Sequence, residues 1–276
     1  MLGGTAVVAT RMLVGVSDAT TVALLRCAGS ALAIGFYVFV VRRARFSARE
    51  TLVFAALGVL MFGVFNLLFS AGLSYVPAAR GAVVMSTMPI IALLIAAAAG
   101  RERITRAKLA GGLLAVVGVV VALGDRASAG AEAWRGDVLM ALSAFVGAAH
   151  AVLSGVVLAR RPALQVLAVQ VMAGAVLLAA MLAARGELDH VVAFEGAQWL
   201  TVFWLTFVAG LFSYLLWFWA LERAPASSVT ITVTLNPLTA AIFGAAFLGE
   251  PVTLQLAVGL AAVASGIVLA ARRTAR

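Results

Sequence analysis

Pro77-Ala78-Ala79-Arg80, continuing through Met88-Pro89 to Arg101-Glu102-Arg103-Ile104-Thr105, decides how this chain is read, because the chain contains it twice. The second copy runs Pro225-Ala226-Ser227-Ser228 through Asn236-Pro237 to Gly249-Glu250-Pro251-Val252-Thr253. Pro77 to Pro225, Pro89 to Pro237, Glu102 to Glu250 and Thr105 to Thr253 are each a step of 148 positions. The same step joins Gly111 to Gly259 and Gly118 to Gly266. A register kept by Pro, Glu, Thr and Gly together marks an internal duplication.

Each copy is a long apolar stretch with one Pro at its opening and another near its middle. A helix start tolerates Pro, whose missing N–H has no partner there anyway. Inside a helix, Pro removes a hydrogen bond and pushes its ring into the preceding turn. In a bilayer that defect is sustained only against protein or a wet cavity. Pro89 and Pro237, matched across the repeats, therefore predict two inward-facing bent helices that shape a cavity. The plainer alternative is a kink that serves packing.

Of the 276 residues, 64% are hydrophobic and 11% charged. That balance belongs to membrane-embedded helices, not to a soluble domain. The net charge of +9 does not point to nucleic acid, because the basic residues fall in short segments between apolar spans, where they set orientation. Cys27 is the single cysteine, which excludes an internal disulfide. The first apolar segment reads as part of the protein, not as a cleaved signal peptide.

Ten apolar spans are predicted, at 1–16, 21–41, 51–74, 78–99, 106–123, 137–159, 163–184, 198–220, 226–247 and 253–271. The expected fold is an all-α membrane protein of two five-helix repeats, 1–123 and 137–271, joined by an outer linker, 124–136. An odd number of helices per repeat makes the second copy enter the membrane from the other side, so the repeats are inverted. With both termini placed in the cytoplasm, fourteen Arg and Lys residues lie on that side and four on the other. This bias predicts an inner-membrane, multi-pass protein with cytoplasmic termini. The repeat register places the start of the first span about a dozen residues before Met1, so a truncated first helix is expected.

Ionisable residues at membrane depth are the default functional candidates. Arg11 and Arg26 fall within a turn or two of the outer edge and are read first as snorkelling side chains, the alternative being attraction of an anionic group near the outer mouth. His150 lies near the middle of its span. It is either a hydrogen bond between helices or a proton-coupling group, because imidazole titrates near neutrality. No Asp or Glu is placed at membrane depth, which argues for a neutral, zwitterionic or amphipathic substrate over a dedicated cation. Uncharged polar residues supply the substrate-cavity candidates: Asn66, Pro89, Tyr214, Thr234, Asn236 and Pro237. Thr230, Thr232 and Thr234 cluster before Pro237, where a bend frees carbonyls for a ligand. Glu102 and Glu250 are read as structural, stabilised by the N-terminus of the next helix. The outer segment holding Glu187, Asp189, His190 and Glu195 has no recognised ligand spacing and reads as a solvated loop. No metal and no cofactor are expected. The expected partners are a small-molecule substrate, the lipid bilayer and, for coupling, protons.

With these residues the sequence resembles the EamA-like ten-helix branch of the drug/metabolite transporter superfamily. The duplicated endings Gly-Arg-Glu-Arg-Ile-Thr (100–105) and Leu-Gly-Glu-Pro-Val-Thr (248–253) carry the resemblance, together with Leu25-Arg26 and Gly3-Gly4-Thr5. It implies an inner-membrane permease, often an exporter of amino acids, metabolites or xenobiotics. It also implies a cavity formed mainly by the first, third, fourth, sixth, eighth and ninth helices. The competing classes are an intramembrane enzyme and a non-transporting scaffold. An enzyme needs clustered carboxylates, a metal-binding His set or a nucleophile with its base, and a scaffold needs surface outside the bilayer. The sequence supplies neither.

Overall fold

The computed structural model describes residues 2–124, 130–192 and 194–271. Ten helices account for nearly all of them: α1 (Leu2–Val14), α2 (Ala19–Val41), α3 (Ala48–Tyr75), α4 (Ala78–Ala98), α5 (Arg106–Leu123), α6 (Ala133–Leu158), α7 (Ala163–Arg185), α8 (Gly196–Arg223), α9 (Ala226–Leu248) and α10 (Leu254–Ala271). Helices α2 to α9 are long and apolar enough to cross a membrane, while the apolar parts of α1 and α10 are shorter. Successive helices run up and down, so the loops alternate between an arginine-rich face, with Arg42, Arg101 and Arg160, and an opposite face. The sixth helix begins at Ala133, four residues before the predicted span. Asp137 consequently sits one turn inside α6 instead of at its edge. There it takes two hydrogen bonds from Arg80 of α4, at 3.0 Å from Nε and 2.7 Å from Nη2.

The repeats meet along α5 and α10 through their matched glycines. A Cβ on Gly118 would lie 2.6 Å from the Gly259 carbonyl oxygen, and one on Gly266 would lie 2.4 Å from that of Gly111. Gly111 and Gly118 are the 148-step equivalents of Gly259 and Gly266, so this contact is one approach made twice about the pseudo-two-fold axis. In lipid, where apolar side chains gain nothing by leaving the solvent, such close backbone approach is a main source of helix association.

Helices α4 and α9 are antiparallel neighbours: the first part of α9 packs on the second part of α4, and the reverse. Each is broken, but not where a mid-helix Pro alone would break it. In α4 the first segment ends at Met85, Ser86 and Thr87 form a turn, and the helix resumes at Met88 with Pro89 at its opening. In α9 the first segment ends at Thr230, Ile231–Leu235 tighten into a 3₁₀ turn, and the helix resumes at Asn236 with Pro237. Each Pro thus occupies a helix start, where it has no N–H to lose. The break in the helix falls in the turn before it.

The expected partner for Glu102 and Glu250 was the next helix. The structure gives each to the broken helix of the other repeat. Glu250, after α9, accepts hydrogen bonds from the Ala78 N–H at the start of α4, at 3.0 and 2.9 Å. Glu102, after α4, accepts from the Ser227 N–H at the start of α9, at 3.3 Å, and from the Ser227 hydroxyl. Pro77 and Pro225 stand at the two N-cap positions, and Pro has no side-chain acceptor to satisfy the orphan N–H groups behind it. A carboxylate from across the axis therefore does what a local Ser or Asp does elsewhere. Arg11 approaches Glu250 at 3.7 Å and Lys108 approaches Glu102 at 3.1 Å.

We expect Glu102→Ala and Glu250→Ala each to cost about 1 kcal/mol of stability, read as a lower unfolding temperature of the detergent-purified protein. The two caps sit at opposite ends of a helix pair about 30 Å long, so the double variant should show close to the summed loss. Singles that melt like the parent would remove the crossed caps from the stability of the fold.

Candidate substrate cavity

Bends in α2, α3 and α8 place the side chains that surround the centre. Val59–Phe65 in α3 and Trp204–Phe212 in α8 are π-helical, and the two stretches overlap under the 148-step register. A π turn leaves backbone groups without their usual helical partners and commonly accompanies functional sites. In α8 the bulge is tied to α2: Thr206 Oγ1 donates to the Leu25 carbonyl at 2.8 Å, and Ser30 Oγ donates to the Thr206 carbonyl at 3.2 Å. Arg26 is the next residue after Leu25, so this double tie fixes where its side chain leaves α2.

Between the repeats lies a cavity of about 120 Å³, bounded by Val7 of α1, Arg26 of α2, and residues of α3, α4, α8 and α9. Ten lining residues form five equivalent pairs: Met61 with Ala209, Phe65 with Ser213, Phe69 with Trp217, Met85 with Val233, and Met88 with Asn236. The first repeat contributes apolar members throughout, whereas the second contributes a hydroxyl, an indole N–H and a carboxamide. The cavity is therefore two-faced by construction. It shares Gly3, Ser213, Trp217, Val233 and Asn236 with a wider space of about 480 Å³. That space runs between α8 and α9, past Trp219 and Thr232, toward the arginine-rich face.

Arg26, expected to snorkel, is instead 8% exposed. Its guanidinium carbon lies 5.0 Å from the Phe69 ring centre and 5.9 Å from that of Tyr214. Its Nε and Nη1, the Tyr214 hydroxyl, the Ser213 hydroxyl and the Trp217 indole nitrogen are all buried, without a well-formed hydrogen bond among the described residues. Two cation–π contacts return about 1–4 kcal/mol, against a burial cost of several kcal/mol for an unpaired ion. Counting from the end of α2 places Arg26 about 10 Å deep but does not show which way the side chain turns. The packing of its own helix against the α8 bulge decides that.

The other candidates are divided. Tyr214 and Asn236 line the cavity. Asn66 is buried one layer behind it, donating to Cys27 Sγ at 3.2 Å and to the Phe62 carbonyl at 3.3 Å. Pro89 and Thr234 border a separate space of about 40 Å³ near α5 and α10, and Pro237 is buried at the restart of α9. The Thr cluster before Pro237 is occupied with its own turn: Thr230 donates to the Ala226 carbonyl at 2.9 Å, Thr232 to that of Val229 at 2.8 Å, and Thr234 to that of Ile231. Those hydroxyls therefore bond carbonyls of their own segment and do not line the cavity. The lining differs from the family expectation in two helices: α2 enters through Arg26, and α6 is held behind Phe65, whose carbonyl accepts from Ser143 Oγ at 3.3 Å.

His150 lies off the cavity. Its Nε2 is 2.7 Å from Gln170 Oε1 of α7 and 2.8 Å from Ser154 Oγ, and its ring sits 5.8 Å from that of Phe218. Phe218 stacks on Phe62, which meets Tyr214 edge-on at 4.8 Å, so two aromatic layers separate the imidazole from the cavity wall. Near the opposite face, His190 turns to Asp18 at 3.4 Å. Among the described residues no three His, Cys, Asp or Glu side chains are grouped as a metal site.

The chain matches the EamA-like transporter family over residues 1–124 and 134–272. It belongs to that family. It is 30% identical over 253 residues to a probable terminal-alkyne amino-acid exporter of Streptantibioticus cattleyicolor, covering 91% of this chain and 82% of the relative. It is 25% identical over 240 residues to an uncharacterized transporter of Archaeoglobus fulgidus, covering 86% of this chain and 84% of that one. A solved crystal structure superposes with a TM-score of 0.72 at 21% identity, covering 100% of this chain and 98% of the other, and so shares its fold. This EamA-like protein is a multi-pass membrane transporter.

Between the two readings of His150, the geometry supports the interhelical one. His150→Gln should keep the α6–α7 hydrogen bonding and the wild-type response of transport to an imposed pH gradient in proteoliposomes. His150→Ala should lower stability by about 1 kcal/mol. A gradient response lost in His150→Gln, with transport otherwise intact, would make it the proton carrier.

Proposed function

We propose that this EamA-like protein is a secondary transporter that moves small zwitterionic or amphipathic metabolites, amino acids among them, by alternating access of the cavity between its repeats. The observation that carries this reading is the division of the cavity: matched positions of the two repeats present an apolar wall from α3 and α4 and polar groups from α8 and α9. A cavity of that kind suits a molecule with one hydrocarbon end and one polar end. The name of the Streptantibioticus cattleyicolor relative, an amino-acid exporter, agrees with it. We place the arginine-rich face in the cytoplasm of an inner membrane, following the positive-inside rule. The wider space then leads from the cytoplasm toward the cavity, which is the arrangement an exporter loads from. At the other face the crossed cap of Glu250 on Ala78 and Arg11, which donates to the Leu73 carbonyl at 2.7 Å, tie α1, α3, α4 and α9 together, which supports a closed outer side.

Two measurements test this. With Cys27 replaced by Ala, a cysteine at Arg45 should be shielded from a membrane-impermeant thiol reagent in intact cells, and one at Gly186 should be labelled; the reverse pattern would invert the orientation. In counterflow from proteoliposomes, the wild type should exchange aliphatic amino acids. Met61→Trp, which puts an indole where a thioether now lines the cavity, should lower that rate at least about tenfold while inserting normally. Wild-type rates in Met61→Trp would show that the substrate does not pass through this cavity.

A further inference from the structure

Resting on that reading of the cavity, we propose that Arg26 is the anchor for a carboxylate group of the transported molecule, with the Tyr214 and Ser213 hydroxyls as its neighbours. The substrate class is then a small organic acid or amino acid carrying an apolar tail, and not merely an amphipathic molecule.

Three observations converge on this. First, Arg26 is more than nine-tenths buried and lines the cavity, and two of its guanidinium nitrogens have no hydrogen-bond partner among the described residues. The one other arginine buried to that degree among the described residues, Arg80, holds Asp137 by two hydrogen bonds. Second, no acidic side chain among the described residues lines this cavity, so among them the cation faces the substrate path without a counter-ion. Arg presents its donors in a planar fork that matches a carboxylate bidentately. Third, the polar atoms beside it are complementary to the same group. The Tyr214 and Ser213 hydroxyls lie buried on the neighbouring turn of α8 without a well-formed hydrogen bond, Tyr214 within reach of Arg26 and Asn66, and each can donate to a carboxylate oxygen. The same cavity is lined by Met61, Phe65 and Phe69, which suit the hydrocarbon end. The guanidinium lies within cation–π distance of both the Phe69 and Tyr214 rings, contacts that favour its place in the cavity before a ligand arrives.

The register adds a selectivity argument. One step of 148 from Arg26 is Gly174, so the duplication did not supply a second cation. The site is single and off the pseudo-two-fold axis, which sets one orientation for an asymmetric substrate: carboxylate toward α2 and α8, tail toward α3 and α4.

The test uses acid and amide pairs on the full-length protein: L-leucine against L-leucinamide, L-phenylalanine against L-phenylalaninamide, and 4-methylpentanoate as a carboxylate with no amine. In detergent, the acids should raise the unfolding temperature of the wild type and the amides should not. In proteoliposomes, Arg26→Gln should raise KM for the acids at least about tenfold, the size of a lost charge-assisted hydrogen bond. Arg26→Lys, which keeps charge but not the fork, should recover part of the loss. Amides that bind and move as well as their acids would overturn the anchor and leave the transport reading standing, as would an unchanged KM for acids in Arg26→Gln. A wild type that neither binds nor moves any of the acids would overturn the anchor and the proposed substrate class together. The wild-type acid–amide comparison decides the matter even where an Arg26 variant fails to insert.

Discussion

The structure depends on one constraint: a backbone N–H facing hydrocarbon has to find an acceptor within the protein. Helices α4 and α9 start with Pro77 and Pro225, which cannot supply side-chain caps, and both helices are interrupted again midway. Glu250 and Glu102 answer the first problem from across the pseudo-two-fold axis. Because each repeat holds the acceptor the other lacks, neither α4 nor α9 is complete without its counterpart. The duplication is thus a physical dependence as well as a record of ancestry. It locks the antiparallel pair at the centre of the molecule, and the cavity forms beside that pair.

The second problem, the interruption itself, is met locally. Ser86, Thr87, Thr230, Thr232 and Thr234 turn their hydroxyls back to carbonyls of the preceding turn, which engages these side chains with their own segments. This changes what the prolines do. Pro89 and Pro237 sit at the openings of the resumed segments, and their rings forbid a regular helical turn just before them. The consequence is a redirected helix that carries Met88 and Asn236 to the cavity. The breaks shape the site, while its chemistry comes from α2 and α8.

Much of this was legible in the chain. The duplicated Pro, Glu, Thr and Gly register, the ten spans and the inverted layout follow from spacing, because apolar length and a shared offset are linear properties. What was not legible is every contact between the repeats. An offset says that Glu102 and Glu250 are equivalent, and it is silent on which helix each one caps. Depth along a helix could be counted for Arg26 and His150, yet depth has no direction. The π turns in α3 and α8 rotate everything after them relative to a regular helix, and no residue in Val59–Phe65 or Trp204–Phe212 announces that. His150 drew notice as the histidine in a span, while the side chain facing the cavity was the arginine read as an edge residue.

The same register shows how a symmetric frame comes to hold an asymmetric site. Arg26 and Phe62 are the equivalents of Gly174 and Gly210. Gly210 lies against the Arg26 backbone, where a Cβ would come within 3.0 Å of the Arg26 carbonyl oxygen. Gly174 lies against Phe62, where a Cβ would come within 2.2 Å of the Phe62 side chain. One crossing is therefore built twice, α2 on α8 and α7 on α3, with glycine on opposite partners. In the first, the small residue is on α8, and α2 is free to send a long cation into the centre. In the second, the small residue is on α7, and α3 fills the space with a phenyl ring. Since backbone approach is what holds both crossings together, exchanging which partner is glycine keeps the frame while concentrating charge on one side of the axis. A single off-axis cation between two apolar-to-polar walls is a consequence of that exchange, and it gives the cavity a head and a tail without disturbing the paired helices that enclose it.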